Sequence, residues 1–129
     1  MKETYVSFEI AILLQEKGFP IPSSKYEDWL YSMYDENGKI HWGMYDPNWY
    51  ARVTHQMALR WLRKEKNICI LPDIQITQDL KERYWYASIV YLDNSQDIIH
   101  YVVAPSEDLI DGYDKVIEQA LEYILKNLI

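Results

Sequence analysis

The stretch Thr54-His55-Gln56-Met57-Ala58-Leu59-Arg60-Trp61-Leu62-Arg63-Lys64-Glu65-Lys66-Asn67 carries the plainest periodic signal in the chain. Met57, Ala58, Trp61 and Leu62 recur at i, i+1, i+4 and i+5 and so share one face of a helix. Arg60, Arg63 and Lys64 fall on the other side, where positive charge concentrates. The Thr54 hydroxyl can accept from an early backbone N–H, and Asn67 is an allowed C-terminal stop. The spacing therefore predicts a helix over 54–67, with one face for a core and one for water or a partner.

Upstream, the pattern predicts a first helix over 7–17, capped by Ser7, buried through Ile10, Ala11, Leu13 and Leu14, and ended by Gly18. Glycine there turns left-handed without a Cβ clash, and Phe19 beyond it can fold back on Leu14. Pro20 and Pro22 then impose an extended connector. A hairpin over 26–45 follows, because Asn37-Gly38 suits a type I′ turn, whose two central residues both take positive φ. That turn pairs Glu36 with Lys39, Met33 with Trp42 and Tyr31 with Met44. Trp29, Tyr31, Met33, Ile40, Trp42 and Met44 then share a core face. Leu30, Ser32, Tyr34, His41 and Tyr45 share a mixed one. Asp46-Pro47-Asn48 reads as a turn, and Trp49 to Val53 as the lead-in to the middle helix.

Downstream, Ile68, Ile70, Ile74 and Ile76 alternate, and Pro72 marks that run as an edge strand or a bulge. Runs rich in Tyr, Trp, Ile and Val over 83–92 and 97–103 make a second hairpin across Asp93-Asn94-Ser95-Gln96. A last helix over 112–126 carries Tyr113, Val116, Ile117, Ala120, Leu121, Ile124 and Leu128 as an apolar stripe. Asp111 is its expected cap, and Asp114 suits the positive end of the helix dipole. The expected class is α+β in the order α-ββ-α-βββ-α: an antiparallel sheet built from two hairpins plus an extra strand, with three helices packed on it. A length of 129 residues suits a single domain. Two weakly similar α-ββ units, 7–45 and 54–103, followed by the C-terminal helix, are one way to organise it. Chance likeness between amphipathic helices is the other.

Five Trp and twelve Tyr stand against two Phe, a bias toward rings with a polar tip that suit half-buried sheet surfaces and interfaces. The net charge of −7 is unevenly placed: 93–129 holds eight acids against two lysines, and 52–66 holds five bases against Glu65. Such polarity can orient self-association or binding to a charged partner. The acidic total disfavours a dedicated nucleic-acid binder. No apolar run has signal-peptide or membrane-span length, and the single cysteine, Cys69, has no partner for an internal disulfide. A cytoplasmic setting without membrane association is the expectation.

His41, His55 and His100 share no ligand spacing. No phosphate loop, dinucleotide fingerprint or serine elbow occurs, so no metal, cofactor or catalytic residue is expected. The acid pairs Asp35/Glu36, Glu107/Asp108 and Asp111/Asp114 fall at a turn or a helix start, where acids have a structural reason. The binding candidates are Arg60, Arg63 and Lys64, which can grip phosphate or carboxylate, and Tyr34, His41 and Tyr45 as an aromatic platform. A solvated helix face and a core border or subunit contact are the plainer readings of the same residues.

Segments 5–19 (YVSFEIAILLQEKGF) and 56–68 (QMALRWLRKEKNI), with the Tyr113…Ala120-Leu121…Leu125 ending, resemble a group of small uncharacterised proteins of phages and mobile elements in gut Bacteroides and relatives. The resemblance touches nearly the whole chain, with the Trp-Leu-Arg helix its most specific part. It implies an intracellular bacterial or phage-derived protein and transfers no activity. The usual pattern places glutamate directly after Trp-Leu-Arg; here Lys64 intervenes before Glu65, which strengthens the basic face.

Three functions follow as expectations. The leading one is a non-enzymatic interaction or assembly protein of phage or mobile-element origin, with a second copy or another protein as partner. The second is nucleic-acid association through the basic face of 54–67. The third is a small-molecule binder or enzyme with an aromatic-lined pocket.

Overall fold

The computed structural model describes residues 4–20, 32–76, 83–104 and 109–129, with 94–96 and 109–111 as backbone alone. The elements run α1 (Phe8–Glu16), β1 (Ser32–Tyr34), β2 (Ile40–Trp42), β3 (Tyr50–Arg52), α2 (His55–Lys66), β4 (Ile68–Ile76), β5 (Arg83–Tyr91), β6 (Asn94–Ala104) and α3 (Leu109–Asn127). The class is α+β, as the sequence indicates. The strands form two three-stranded antiparallel sheets, ordered β2-β1-β3 and β4-β5-β6. Tyr50–Arg52, which the sequence presents only as a lead-in to the middle helix, is the short strand that completes the first sheet. Expectations placed on Pro22, Tyr26, Trp29, Leu30, Tyr31, Glu107 and Asp108 lie outside the described residues. The chain divides into two compact units, Met1–Ala58 and Leu59–Ile129. No helix among the described residues is long and apolar enough to cross a membrane.

The helix ends follow local chemistry. Ser7 Oγ accepts from the Ile10 N–H at 3.3 Å. Gly18 takes φ +92°, and the Phe19 N–H reaches back to the Leu14 carbonyl at 3.0 Å, so α1 closes with its last carbonyls bonded. Thr54 Oγ1 accepts from the Met57 N–H at 3.2 Å, and Asn67 takes the left-handed φ of 61° that ends α2. The buried stripe of α2 is His55, Ala58, Leu59 and Leu62, with Trp61 beside it. Met57, expected in the core, is 42% exposed. His55 takes that place because its ring has a partner there: Nδ1 lies 2.7 Å from Thr4 Oγ1.

In the first unit the segment before α1 is pinned to the chain leading into α2. The Val6 N–H donates to the Val53 carbonyl, and the His55 N–H to the Thr4 carbonyl, each at 2.9 Å. The Phe8 ring of α1 then lies on the sheet, 5.6 Å from Tyr34 and 5.8 Å from Tyr50.

The hairpin register corrects the expected one by a single residue. Ser32 faces Trp42, Met33 faces His41 and Tyr34 faces Ile40. The cause is Asp35, whose Oδ1 accepts from the backbone N–H groups of Asn37 and Lys39 at 2.9 Å each. With Asp35 and Lys39 also joined through the backbone, the loop holds three residues, Glu36 to Gly38. Only Gly38 among them takes positive φ, +82°, as in a three-residue hairpin loop closed by a left-handed glycine. A one-residue slip turns every side chain of a strand over. Ile40, Trp42 and Met44, expected inside, are 43%, 61% and 53% exposed, whereas Met33 is buried as expected.

In the second unit β4 runs through Pro72 as an edge strand, the position proline tolerates. Two residues, Leu92 and Asp93, join β5 to β6, a tighter turn than the four-residue one expected. α3 packs across all three strands on the face of Ile70, Ala87 and Ile89. Val116, Ile117, Ala120, Leu121, Ile124 and Leu125 have no solvent exposure; each large aliphatic side chain so buried contributes about 1.5–3 kcal/mol. Tyr113 meets Trp85 edge-on at 5.1 Å, and Tyr123 lies flat on His100 at 3.9 Å. A Cβ at Gly112 would come within 2.7 Å of Trp85 Cδ1, so only glycine lets the helix approach the sheet there. Because α3 starts at Leu109, Asp111 sits in the first turn rather than at the cap.

Candidate functional site

α2 places Arg60, Arg63 and Lys64 on its exposed side, opposite the stripe that buries Ala58 and Leu62. No ion pair joins any of the three to an acid among the described residues. They are solvated cations on one helix face.

The aromatic candidates do not come together. Tyr34 is 7% exposed, and its hydroxyl donates to the Val6 carbonyl. Its register with Ile40 places it on the opposite face of the sheet from His41. Tyr45 is half-buried beyond β2. His41 instead joins Asp35 and Trp49: Nε2 lies 2.9 Å from Asp35 Oδ2, and its ring stacks on Trp49 at 4.4 Å and 22°. The Trp49 indole N–H donates to Glu36 Oε2 at 3.0 Å. The bond from His41, then that from the Lys39 N–H, hold the Asp35 carboxyl below its ordinary value; partial burial opposes them, and the Asn37 N–H adds to the lowering. Asp35 thus has all its bonds within the hairpin, and the cluster locks a turn.

The same slip assembles a different corner on the other face. Ser32 is the direct cross-strand neighbour of both Trp42 and Arg52, which flank it in one row. The Arg52 guanidinium lies 4.0 Å over the Tyr5 ring and within 5.5 Å and 5.8 Å of the Trp42 and Tyr34 rings, at distances where a ring face attracts a cation. Tyr5 and Trp42 meet edge-on at 6.0 Å. Arg52 Nη1 donates to Ser32 Oγ at 3.3 Å, and Ser32 in turn donates to the His41 carbonyl. Arg52 Nε is buried and has no hydrogen-bond partner among the described residues.

No family model, no curated protein and no solved structure matches this chain.

Sequence reasoning does not find Arg52, Trp42 and Tyr5, since their meeting depends on the register and on β3. The available signal is the Tyr50-Ala51-Arg52 alternation, intermediate, buried, intermediate in the fold.

The second unit carries a broader surface. On the side of the sheet away from α3, Leu71, Ser88 and Tyr101 form one cross-strand row, and Asp73, Tyr86 and Val103 the next. Leu71, Tyr101 and Val103 are 44%, 54% and 47% exposed. Tyr86 donates to Asp73 Oδ2 at 3.3 Å, and the Asp73 charge pushes the Tyr86 phenol up. Cys69 is half-buried, and His100 is stacked in the other face. No group of three His, Cys, Asp or Glu among the described residues could hold a metal ion.

Proposed function

We propose that the protein is a non-enzymatic interaction or assembly protein, with the outer face of the β4-β5-β6 sheet as its contact surface. One observation carries this: Tyr101 and Val103 of β6, with Leu71 across Ser88 from Tyr101, stand exposed on one face of a sheet whose other face is already filled by α3. Contiguous apolar side chains left in water mark interaction surfaces, and tyrosine is enriched in them. Leu71→Glu with Tyr101→Glu is the test, read by light scattering and by capture of partners on immobilised protein. The wild-type chain associates with itself or with a partner and the double variant does not; equal association by both would overturn the reading. The proposed setting, a phage or mobile element of gut Bacteroides or relatives, rests on the resemblance of the three quoted segments.

A second reading is supported by three exposed cations of α2 that have no acid partner among the described residues. Arg60, Arg63 and Lys64 offer phosphate contacts, which predict nucleic-acid binding that falls steeply with salt. A gel shift at low salt, lost in Arg60→Glu with Arg63→Glu, supports it, and no shift at low salt excludes it.

A further inference from the structure

We infer that the Tyr5–Trp42–Arg52 corner of the first sheet binds a free nucleotide, its base on the Trp42 indole and its phosphate on the Arg52 guanidinium. The site uses none of the residues of the proposed assembly face, so either can fail alone.

Charge complementarity carries the argument. Arg52 is a cation with no carboxylate partner among the described residues: one of its nitrogens bonds a hydroxyl, and another is buried without a partner. A guanidinium whose charge meets no carboxylate keeps its remaining N–H donors for an oxyanion, which they match in planar, paired geometry. The rings of Tyr5, Tyr34 and Trp42 replace part of the water around the guanidinium, so an anion in front of it is held more strongly than on an open surface. Ser32 fixes the orientation of the guanidinium plane, itself fixed by the His41 carbonyl. Little ordering then remains to be done on binding.

Trp42 supplies the second half. It is 61% exposed on the edge strand β2, an open indole of the kind on which bases stack. The indole and the guanidinium carbon are 5.5 Å apart, so the ligand needs a spacer between ring and anion. The sugar of a nucleotide supplies it; a carboxylate bonded directly to a ring does not. One cation and one open indole match one nucleotide, and the chain's net charge of −7 opposes a polyanion.

Adenosine monophosphate, titrated into the full chain, is the probe, and the Trp42 indole N–H resonance is the readout, assigned with Trp42→Phe. The resonance should shift saturably. Adenosine, inorganic phosphate and Arg52→Gln should each weaken binding by about tenfold or more, the loss of one charge-assisted bond. Arg52→Lys, with circular dichroism as a check on folding, keeps the charge but not the planar fork. Trp42→Ala, whose affinity is read by calorimetry, should bind adenosine monophosphate about tenfold or more weakly through the loss of one base–ring stack; unchanged affinity would overturn the inference even where an Arg52 variant does not fold. No shift at millimolar adenosine monophosphate would overturn the inference. Equal binding of adenosine, or tighter binding per nucleotide of a single-stranded oligonucleotide, would overturn it as well.

Discussion

Asp35 Oδ2 lies 2.9 Å from His41 Nε2 while Asp35 Oδ1 holds two backbone N–H groups of the same hairpin. One carboxylate therefore ties a turn to the strand that leaves it. Its folded pKa is lowered, so the carboxyl titrates at a lower pH in the folded state than in the unfolded one. That stabilisation is fully present above the unfolded value and is lost as pH falls through the folded one. Asp35→Asn should lower the melting temperature at neutral pH, and the gap to wild type should close in acid, below about pH 4. A gap unchanged down to the acid limit would show that Asp35 does not stabilise through its charge.

Gly38 and Gly18 both take positive φ, yet they differ in surroundings. A Cβ at Gly38 meets Phe8 Cδ2 at 2.9 Å, and one at Gly18 meets nothing within 4 Å. Gly18→Ala should cost about 1 kcal/mol from backbone strain alone. Gly38→Ala should cost more, by about a further 1 kcal/mol for the displaced ring. Denaturant melts of the two variants check the order.

Leu121 and Ile124 are fully buried in the seam between α3 and its sheet, whereas Ile98 is 42% exposed. Leu121→Ala or Ile124→Ala should destabilise by about 2–5 kcal/mol. Ile98→Ala should stay within about 0.5 kcal/mol of wild type. Urea midpoints measure the contrast, and equal effects would mean that α3 is not seated as described.

Arg60 and Arg63 are exposed and have no acid partner among the described residues. Arg60→Glu with Arg63→Glu should therefore leave the melting temperature nearly unchanged, within about 0.5 kcal/mol of stability for each change. A larger fall would reveal an ion pair that these residues make in the folded chain.

Features set by near neighbours in sequence were legible. Ser7, Gly18, Thr54 and Asn67 act at their helix ends because caps and stops involve only a few adjacent backbone groups. The α3 stripe was legible from its spacing, and so was the solvated side of α2. Features set by partners far along the chain were not. β3 is three residues long and becomes a strand only by pairing with β1. His55 enters the α2 stripe because Thr4 meets it from far away in sequence. Asn37-Gly38 argues for a two-residue turn, but the Asp35 side chain outcompetes it by bonding two N–H groups at once. The candidate corner at Arg52 needed both the register and the third strand, so no local pattern could announce it.

The odd number of residues in the hairpin loop gives the first sheet a parity. With Glu36, Asn37 and Gly38 in place, β2 turns its hydrophobic residues Ile40 and Trp42 to solvent and keeps His41 on the side of Met33. Remove any one loop residue and that parity inverts: Ile40 and Trp42 change sides with His41, and the Trp42–Arg52 neighbourhood disappears. Substitutions across this loop should be absorbed far more readily than a change in its length, so its evolution should be tolerant of spelling and intolerant of counting.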